Sequence, residues 1–130
     1  MSLKPATLDA RERSIVDSSD IGRLGTVSKN GWPHLVPVGY VFSKGAFYVA
    51  SDKDAVKMKN IRRLPRATLV IDDEWKERGV MFECEAVVLA AGPAERWRKY
   101  MREVKGWKND RSTAVIRLKP LRKASWFLKG

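Results

Sequence analysis

Several residue types are scarce or missing in this sequence, and each absence excludes a class of protein. The chain has one cysteine, Cys84, and one histidine, His34, so neither an internal disulfide nor a tetrahedral zinc set can form. No apolar run is long enough to cross a bilayer, and the first residues lack the apolar core of a signal peptide. We therefore expect a cytoplasmic protein in a reducing compartment, with no membrane partner.

Side chains in arrangements typical of catalysis are also missing. Ser14, Ser18 and Ser19 have no base partner in the sequence, so nucleophilic catalysis has no support. Glu83 and Glu85 share one face of a predicted strand, where we expect them to pair with Arg and Lys on a neighbouring strand. Cys84 alternates with apolar residues and is expected to be a buried structural thiol. The sequence therefore identifies no catalytic residue.

Positive charge, in contrast, is abundant. The chain has 26 Lys and Arg against 15 Asp and Glu, a net charge of +11. This excess predicts attraction to polyanions, namely phosphates, nucleic acid or an acidic membrane surface. The absence of Gln, together with the many charged residues, favours a thermophilic source. Because heat stability or solubility also explains many Lys and Arg, charge alone does not identify nucleic acid as the partner.

Length and hydrophobic pattern predict a single domain over residues 1–130. Strands are predicted at 21–27, 34–42, 46–51, 67–72, 79–89 and 114–119, with a last extended piece at 124–128. Helices are predicted at 8–18, 55–64 and 92–104. Tight turns between consecutive strands favour antiparallel pairing, and closure removes exposed sheet edges. The prediction is a mainly β fold, a six- to seven-stranded antiparallel closed or split barrel with peripheral helices.

Particular residues mark the predicted ends and faces of these elements. Thr7 and Asp54 are the expected N-caps of the first and second helices. Pro37 is expected either to interrupt its strand or to mark a sheet edge, and Pro120 to end the strand before it. The third helix is expected to bury one stripe of side chains: Ala94, Trp97, Met101 and Val104.

One part of the chain has the layout of a ligand site. Gly39 has no Cβ, so a planar ring can approach the strand around it closely. Lys57 is expected in the first turn of the second helix, where a Lys opposes the helix dipole unless an anion is bound. A helix start is also a natural phosphate site, and Ser51, just before it, can donate a further hydrogen bond. This layout fits a flat ligand that carries one phosphate.

Three tryptophans, Trp75, Trp107 and Trp126, are predicted in or near loops. Such residues are enriched at interfaces. Trp126 is suited either to cover a ligand or partner subunit, or to anchor the tail in the core, and the sequence leaves both alternatives open.

Together these segments resemble the pyridoxamine 5′-phosphate oxidase-like, FMN-binding split β-barrel family. The resemblance spans 8–127 and depends on the order and spacing of several segments: 23–27, 31–38, 47–51, 57–61, 65–67, 116–120 and 125–126. It implies a homodimer with two flavin sites at the subunit interface. It also implies that the isoalloxazine ring lies along one strand, formed by Pro37, Val38, Gly39 and Tyr40. Ser51 and Lys57 would hold the phosphate, and Trp126 would approach from the other subunit.

The sequence departs from the family pattern at three places. Ala55 and Val56 stand where family members often carry a hydroxyl and a basic residue, so their backbone amides, or Lys53, would have to serve instead. Cys84 stands where Gly is common. The C-terminal signature of true pyridoxamine phosphate oxidases is not evident, so we do not expect vitamin B6 oxidation.

Three functional hypotheses follow. The first is a small FMN-binding oxidoreductase that transfers hydride to or from an unidentified small substrate. The second keeps the fold but binds a deazaflavin, whose longer acidic tail the positive surface would attract. The third is a non-enzymatic basic barrel that binds nucleic acid by stacking bases on Trp32, Tyr40 and Tyr48. No recognised nucleic-acid motif supports the third hypothesis.

Overall fold

A computed structural model describes residues 6–107 and 114–128 of the chain. The helices are α1 (Ala10–Ser18), α2 (Val56–Arg63) and α3 (Ala91–Lys105). The strands are β1 (Ile21–Val27), β2 (Pro33–Gly39), β3 (Val41–Ser43), β4 (Ala46–Ser51), β5 (Arg66–Asp73), β6 (Arg78–Val88) and β7 (Ala114–Phe127). A single 3₁₀ turn, Glu74–Lys76, joins β5 to β6. None of the helices described is long and apolar enough to span a membrane.

The strands form one antiparallel sheet in the order β2-β1-β5-β6-β7-β4-β3. The two edge strands, β2 and β3, are separated in sequence by Tyr40 alone. The sheet therefore curls until its two edges meet at that residue. The result is a seven-stranded half-barrel with peripheral helices, which confirms the predicted split barrel.

The core fills the inside of this curled sheet. Alternate residues of each strand point inward, because successive side chains in a strand face opposite sides. The largest fully buried strand residues include Leu24, Phe47, Leu69, Phe82 and Leu118. Two helices add further buried residues to the same core: Ile15 and Val16 from α1, and Met58 and Ile61 from α2. The start of α2 is thereby held at a fixed place beside the barrel.

The predicted interruption of a strand at Pro37 is wrong, whereas the alternative of an edge strand is confirmed. β2 runs through Pro37, which pairs with Arg23 of β1, and the break comes later, at Tyr40. An edge strand has a neighbour on one side only, so it tolerates the missing N–H of a proline.

The predicted end of a strand at Pro120 is also wrong, because β7 continues to Phe127. The pairing of β7 with β6 shifts at this point, so that Glu83 faces Arg122 while Cys84 faces Pro120. Leu121 is the extra residue of a β-bulge. A bulge interrupts the ladder locally, so the proline leaves no required hydrogen bond unmade.

The first helix begins later than predicted. Its N-cap is Asp9 and not Thr7. The Asp9 carboxylate accepts from the Glu12 amide at 2.8 Å, and the Glu12 carboxylate accepts from the Asp9 amide at 2.9 Å. This reciprocal capping box satisfies two amides at once, which a threonine at position 7 could not do.

In α3 the predicted buried stripe is correct except at its last member. Ala94 and Met101 are buried and Trp97 is half-buried against Tyr48, but Val104 is 53% exposed. The helix covers the outside of β4 and β7, and its last turn extends past the apolar surface there.

Candidate functional site

The start of α2 has no side-chain cap. The N-cap is Ala55, not the predicted Asp54, and no side chain within the described ranges accepts from the first turn. The chain turns on Asp52 instead: its carboxylate accepts from the Asp54 amide at 2.9 Å, and its carbonyl accepts from the Ala55 amide at 3.1 Å. This turn places the beginning of the helix one residue later than expected.

Two amides at this helix start have no hydrogen-bond partner among the described residues. The first helical bonds come from Met58 and Lys59, which both donate to the Ala55 carbonyl, at 3.0 and 3.2 Å. The N–H groups of Val56 and Lys57 remain open. The amide of Ala55, which sequence reasoning offered to a ligand, is already used by the turn. An uncapped helix start of this kind favours an anion, because its free amides and the positive end of its dipole act together.

Lys57 lies in the first turn of α2, as predicted. Its side chain is half-buried, and burial lowers the pKa of its amino group, while the nearby Asp52 carboxylate opposes that shift. The first turn contains no acidic residue. The Lys57 ammonium is therefore partly shielded from solvent at the positive end of the helix dipole. A bound anion would stabilise this arrangement.

Ser51 lies beside this helix start, at the last position of β4, but its hydroxyl is already engaged. The side chain is buried and donates to the Asp52 carbonyl at 3.0 Å. In this conformation the hydroxyl helps to hold the Asp52 turn.

The strand expected to lie along a planar ring presents only some of its residues outward. Val38 and Tyr40 point into the core; Tyr40 is 1% exposed and donates to the Val16 carbonyl at 2.6 Å. Pro37 and Gly39 face outward. Tyr40 can thus contribute backbone atoms to a ligand but not its ring.

The outward face of Gly39 is covered by an indole that sequence reasoning did not connect with it. A Cβ added to Gly39 would lie 2.9 Å from Cη2 of Trp107. Trp107 directly follows Gly106, which ends α3 in the left-handed conformation at φ 69°. A glycine at a helix end followed by an apolar residue is a known signal that the chain folds back on the structure, but it does not name the contact.

Trp126 lies far from the helix start along the same sheet. Trp126 pairs with Gly79 on β6, and a Cβ on that glycine would lie 2.2 Å from Cζ2 of the indole. Ser51 pairs with Ala114, at the other end of β7. Twelve positions separate Ala114 from Trp126, about 40 Å along an extended strand. The pairing therefore places Trp126 and the residues around Lys57 at opposite ends of β7.

The aromatic residues named for the nucleic-acid hypothesis are mostly unsuited to stacking bases. Tyr40 and Tyr48 are both buried, and Tyr48 stacks on Trp97 with ring centroids 3.5 Å apart. Trp32 alone of the three is open, at 72% exposed. The structure therefore contradicts the proposed stacking platform.

The predictions for Cys84, a buried thiol, and for Glu83, a partner of a basic residue on the neighbouring strand, are confirmed. Cys84 is buried, and burial raises the pKa of its thiol to about 12. Glu83 pairs with Arg122 across β6 and β7 at 3.3 Å. His34 is half-buried, and its Nδ1 has no partner within the described ranges. No group of three or more metal-ligating side chains occurs in the part of the chain that the structure describes.

The curled antiparallel sheet, closed by helices at its margins, defines a split-barrel protein. The family model described as pyridoxamine 5′-phosphate oxidase matches residues 8–127, nearly the whole sequence. The chain therefore belongs to this family. No protein of curated function matches it at a significant level.

Solved structures share the fold. A conserved hypothetical protein from Mycobacterium tuberculosis is 25% identical, with a TM-score of 0.75 over 98% of this chain and 89% of that one. A FAD-binding protein from Mesorhizobium loti is 19% identical, with a TM-score of 0.72 over 92% of this chain and 95% of that one. An F420 reductase is 15% identical, with a TM-score of 0.74 over 90% of this chain and 98% of that one. At these last two levels of sequence identity, the similarity shows only that the fold is shared.

Proposed function

We propose that the chain binds FMN, with the phosphate at the start of α2, and acts as a small flavin-dependent oxidoreductase. The observation that carries this proposal is the uncapped helix start, where two open amides stand beside the partly buried Lys57. Membership of the pyridoxamine 5′-phosphate oxidase family supports a flavin as the ligand class.

The groups at this helix start fit a phosphate. The amides of Val56 and Lys57 and the ammonium of Lys57 are all donors, and they belong to the first turn of one helix. A hydrogen bond to a charged group contributes about 1.5–3 kcal/mol. Because Ala55 and Val56 supply no polar side chain, the phosphate has fewer contacts than in family members that carry a hydroxyl and a basic residue there. We therefore expect weaker retention of FMN during purification.

The ring would lie along the outward side of β2, against Pro37 and Gly39 and the backbone that joins them through Val38. A bound flavin supplies hydride chemistry, and the protein supplies binding, orientation and exclusion of water. Among the described residues around Lys57 and Gly39, no side chain stands out as a general acid or base.

We further propose that a second copy of the chain completes the site. Trp126 would reach the cofactor held by the partner's Lys57, because within one chain these residues lie at opposite ends of β7. A groove of about 1070 Å³ lies across the outer side of the sheet. It is lined by apolar residues, including Val27 and the 68% exposed Leu35, and by charges of both signs. A surface with both signs can be self-complementary about a twofold axis.

A deazaflavin is the second candidate cofactor. The F420 reductase with the same fold supports it, as does the modest charge of the helix start, where the Asp52 carboxylate partly offsets Lys57. The single negative charge of a phosphodiester is one that such a site can also balance. The acidic tail of a deazaflavin would then extend over a surface of net charge +11.

A visible spectrum of the fresh protein and titrations with both cofactors test the proposal. The Lys57→Met variant should bind FMN about 10- to 150-fold more weakly, the loss of one charged hydrogen bond. Lys59→Met is the matched control: Lys59 is exposed on the same helix, and the variant should keep the wild-type affinity within about twofold. Affinity should also fall as pH rises through the lowered pKa of Lys57, below the ordinary value of 10.5.

These measurements distinguish the two candidate cofactors, and they test the proposed dimer. Tighter binding of a deazaflavin than of FMN would favour the second candidate. A colourless protein that takes up neither cofactor would refute the proposed function. Light scattering should give twice the 14.8 kDa of one chain, and a monomer that binds flavin with full affinity would refute the shared site.

A further inference from the structure

The contact between Gly39 and Trp107 bears directly on how a ring could bind. Three atoms of the indole, led by Cη2, lie within 2.9 to 3.3 Å of the place where a Cβ of Gly39 would stand. These atoms belong to the outer edge of the six-membered ring. The indole therefore fills the space in front of the glycine, and no second flat group can contact the same backbone while it stays there.

Several contacts hold the end of α3, and with it the Trp107 indole, beside Gly39. Gly106 ends α3 with its amide donating to the Arg102 carbonyl at 3.0 Å. Lys105, the last helical residue, forms an ion pair with Asp20 at 2.5 Å, and its Nζ lies 6.0 Å from the centre of the Trp107 ring. The backbone carbonyl of Asp20 accepts from the Tyr40 amide at 3.1 Å. The end of α3 is thus fastened to the corner where β2 ends.

We propose that Trp107 occupies the ring position of the cofactor site, so that the indole and the cofactor ring compete for the outward face of Gly39. Trp107 then sets the affinity and specificity of the site for planar ligands. This inference depends on the proposed function, because it takes the backbone from Pro37 to Gly39 as the ring-binding surface.

The packing of Trp107 makes such a displacement feasible. The side chain is only half-buried, at the margin of a small cluster beneath α3 that includes Tyr48, Met101 and Val115. The inner members of that cluster stay covered by α3 when the indole leaves. The aromatic area lost from the glycine face would be replaced by the cofactor ring, which has a similar flat surface.

A purely structural role for Trp107 predicts different behaviour. If the indole serves only to cover the end of the cluster, its removal lowers stability and leaves the ring site unchanged. Competition predicts a change in affinity. If the indole leaves Gly39 free for only about a tenth of the time, the apparent affinity for the cofactor is tenfold weaker than the intrinsic affinity, and removing the indole restores the intrinsic value. Cofactor affinity and protein stability therefore separate the two roles.

The experiment uses the full chain labelled with 5-fluorotryptophan, whose five tryptophans give separate ¹⁹F signals. The Trp107→Phe variant assigns the Trp107 signal. FMN is then titrated into the wild-type protein, and flavin affinity is measured for the wild type, Trp107→Ala and Trp107→Phe. Trp32→Ala is the matched control, since Trp32 is exposed at the opposite end of β2.

Competition predicts that the Trp107 signal shifts as FMN binds and that Trp107→Ala binds FMN about tenfold more tightly, with Trp32→Ala unchanged. An unmoved Trp107 signal with flavin bound would overturn the inference while the proposed function stands. Weaker binding by both Trp107 variants would also overturn it, because the indole would then belong to the binding surface. Failure of every protein to bind flavin would refute the proposed function and this inference with it. The wild-type spectrum is informative even if Trp107→Ala fails to fold.

Discussion

A buried polar pair beneath α2 gives the sharpest stability prediction. Thr26 and Asn60 are each 3% exposed, and Asn60 Nδ2 donates to Thr26 Oγ1 at 3.0 Å. Asn60 Oδ1 accepts from Arg63 at 3.2 Å, and Arg63 also donates to the carbonyl of Val27. The network joins α2 to β1, so it fixes the helix whose start is the candidate phosphate site.

The size of the effect follows from which groups are left unpaired. Thr26→Val removes a hydroxyl at nearly constant shape and leaves the Asn60 amide unpaired, at a cost of about 1–3 kcal/mol. Asn60→Leu leaves the Thr26 hydroxyl unpaired at a similar cost. The double variant leaves neither group of this hydrogen bond unpaired. Its loss should therefore be smaller than the sum of the single losses, by about 1–2 kcal/mol.

Urea unfolding followed by tryptophan fluorescence measures the cycle. A loss of about 2 kcal/mol shifts the midpoint by about 1 M urea. Thr68→Val is the matched control, because Thr68 is a half-buried threonine on β5 whose hydroxyl has no partner among the residues described, and its change should stay within about 0.5 kcal/mol. Additive losses in the double variant would refute the assignment of a coupled buried pair.

Two further predictions concern other contacts. The buried Glu12 accepts from Lys123 at 2.5 Å; burial alone would raise its pKa, but this and other hydrogen bonds hold the pKa below its ordinary value of 4.5. Above about pH 4.5, the free energy of unfolding of the wild type, measured by thermal unfolding, should therefore exceed that of Glu12→Gln by about 1.5–3 kcal/mol. This difference should vanish as the pH falls through the lowered pKa of Glu12. A difference that stays constant with pH would contradict the prediction. Gly79→Ala should cost about 1–3 kcal/mol because the new Cβ meets the Trp126 indole, whereas Gly92→Ala in α3 should be neutral or stabilising by up to about 1 kcal/mol. Equal melting temperatures for the two alanine variants would be evidence against the close contact.

Much of the sheet could be predicted because turn residues delimit its strands locally. Turn residues at 28–31 separate β1 from β2, turn residues at 43–45 precede β4, and β1 and β4 have the predicted bounds, 21–27 and 46–51. The Asn30-Gly31 pair likewise predicts a hairpin turn between β1 and β2, and the Gly31 amide closes that turn on the Ser28 carbonyl at 2.9 Å. The split-barrel class followed from these local patterns and the family resemblance together.

Prediction failed where pairing between distant strands decides the outcome. Pro120 would end an isolated strand, but a shift in the β6–β7 register opposite it removes the conflict. That shift depends on residues far away in sequence, so no local rule identifies it. For Pro37 the local rule leaves two alternatives, a strand interruption and a sheet edge, and the strand order decides between them by placing β2 at the edge.

At the candidate phosphate site, the sequence predicts the position of Lys57 in the first turn of α2, which the structure confirms, but not which donors are open. The Asp52 turn then decides which groups are available: it uses the Ala55 amide and the Ser51 hydroxyl, and it leaves the amides of Val56 and Lys57 open. Turn geometry of this kind involves competition between several acceptors, which the spacing of residues alone does not resolve.

The contact between Gly39 and Trp107 shows most clearly what sequence patterns leave out. Each half had its own signal, since Gly39 permits close approach and Gly106 turns the chain after a helix. Their meeting requires that α3 pack on β4 and β7 and that the curled sheet bring the end of β2 beneath the helix end. The glycine that makes room for a ligand ring is thus the glycine that makes room for the protein's own indole. Because one surface serves both, the affinity of the site depends on the difference between two similar aromatic contacts, and a single substitution at Trp107 shifts that difference without altering the phosphate site.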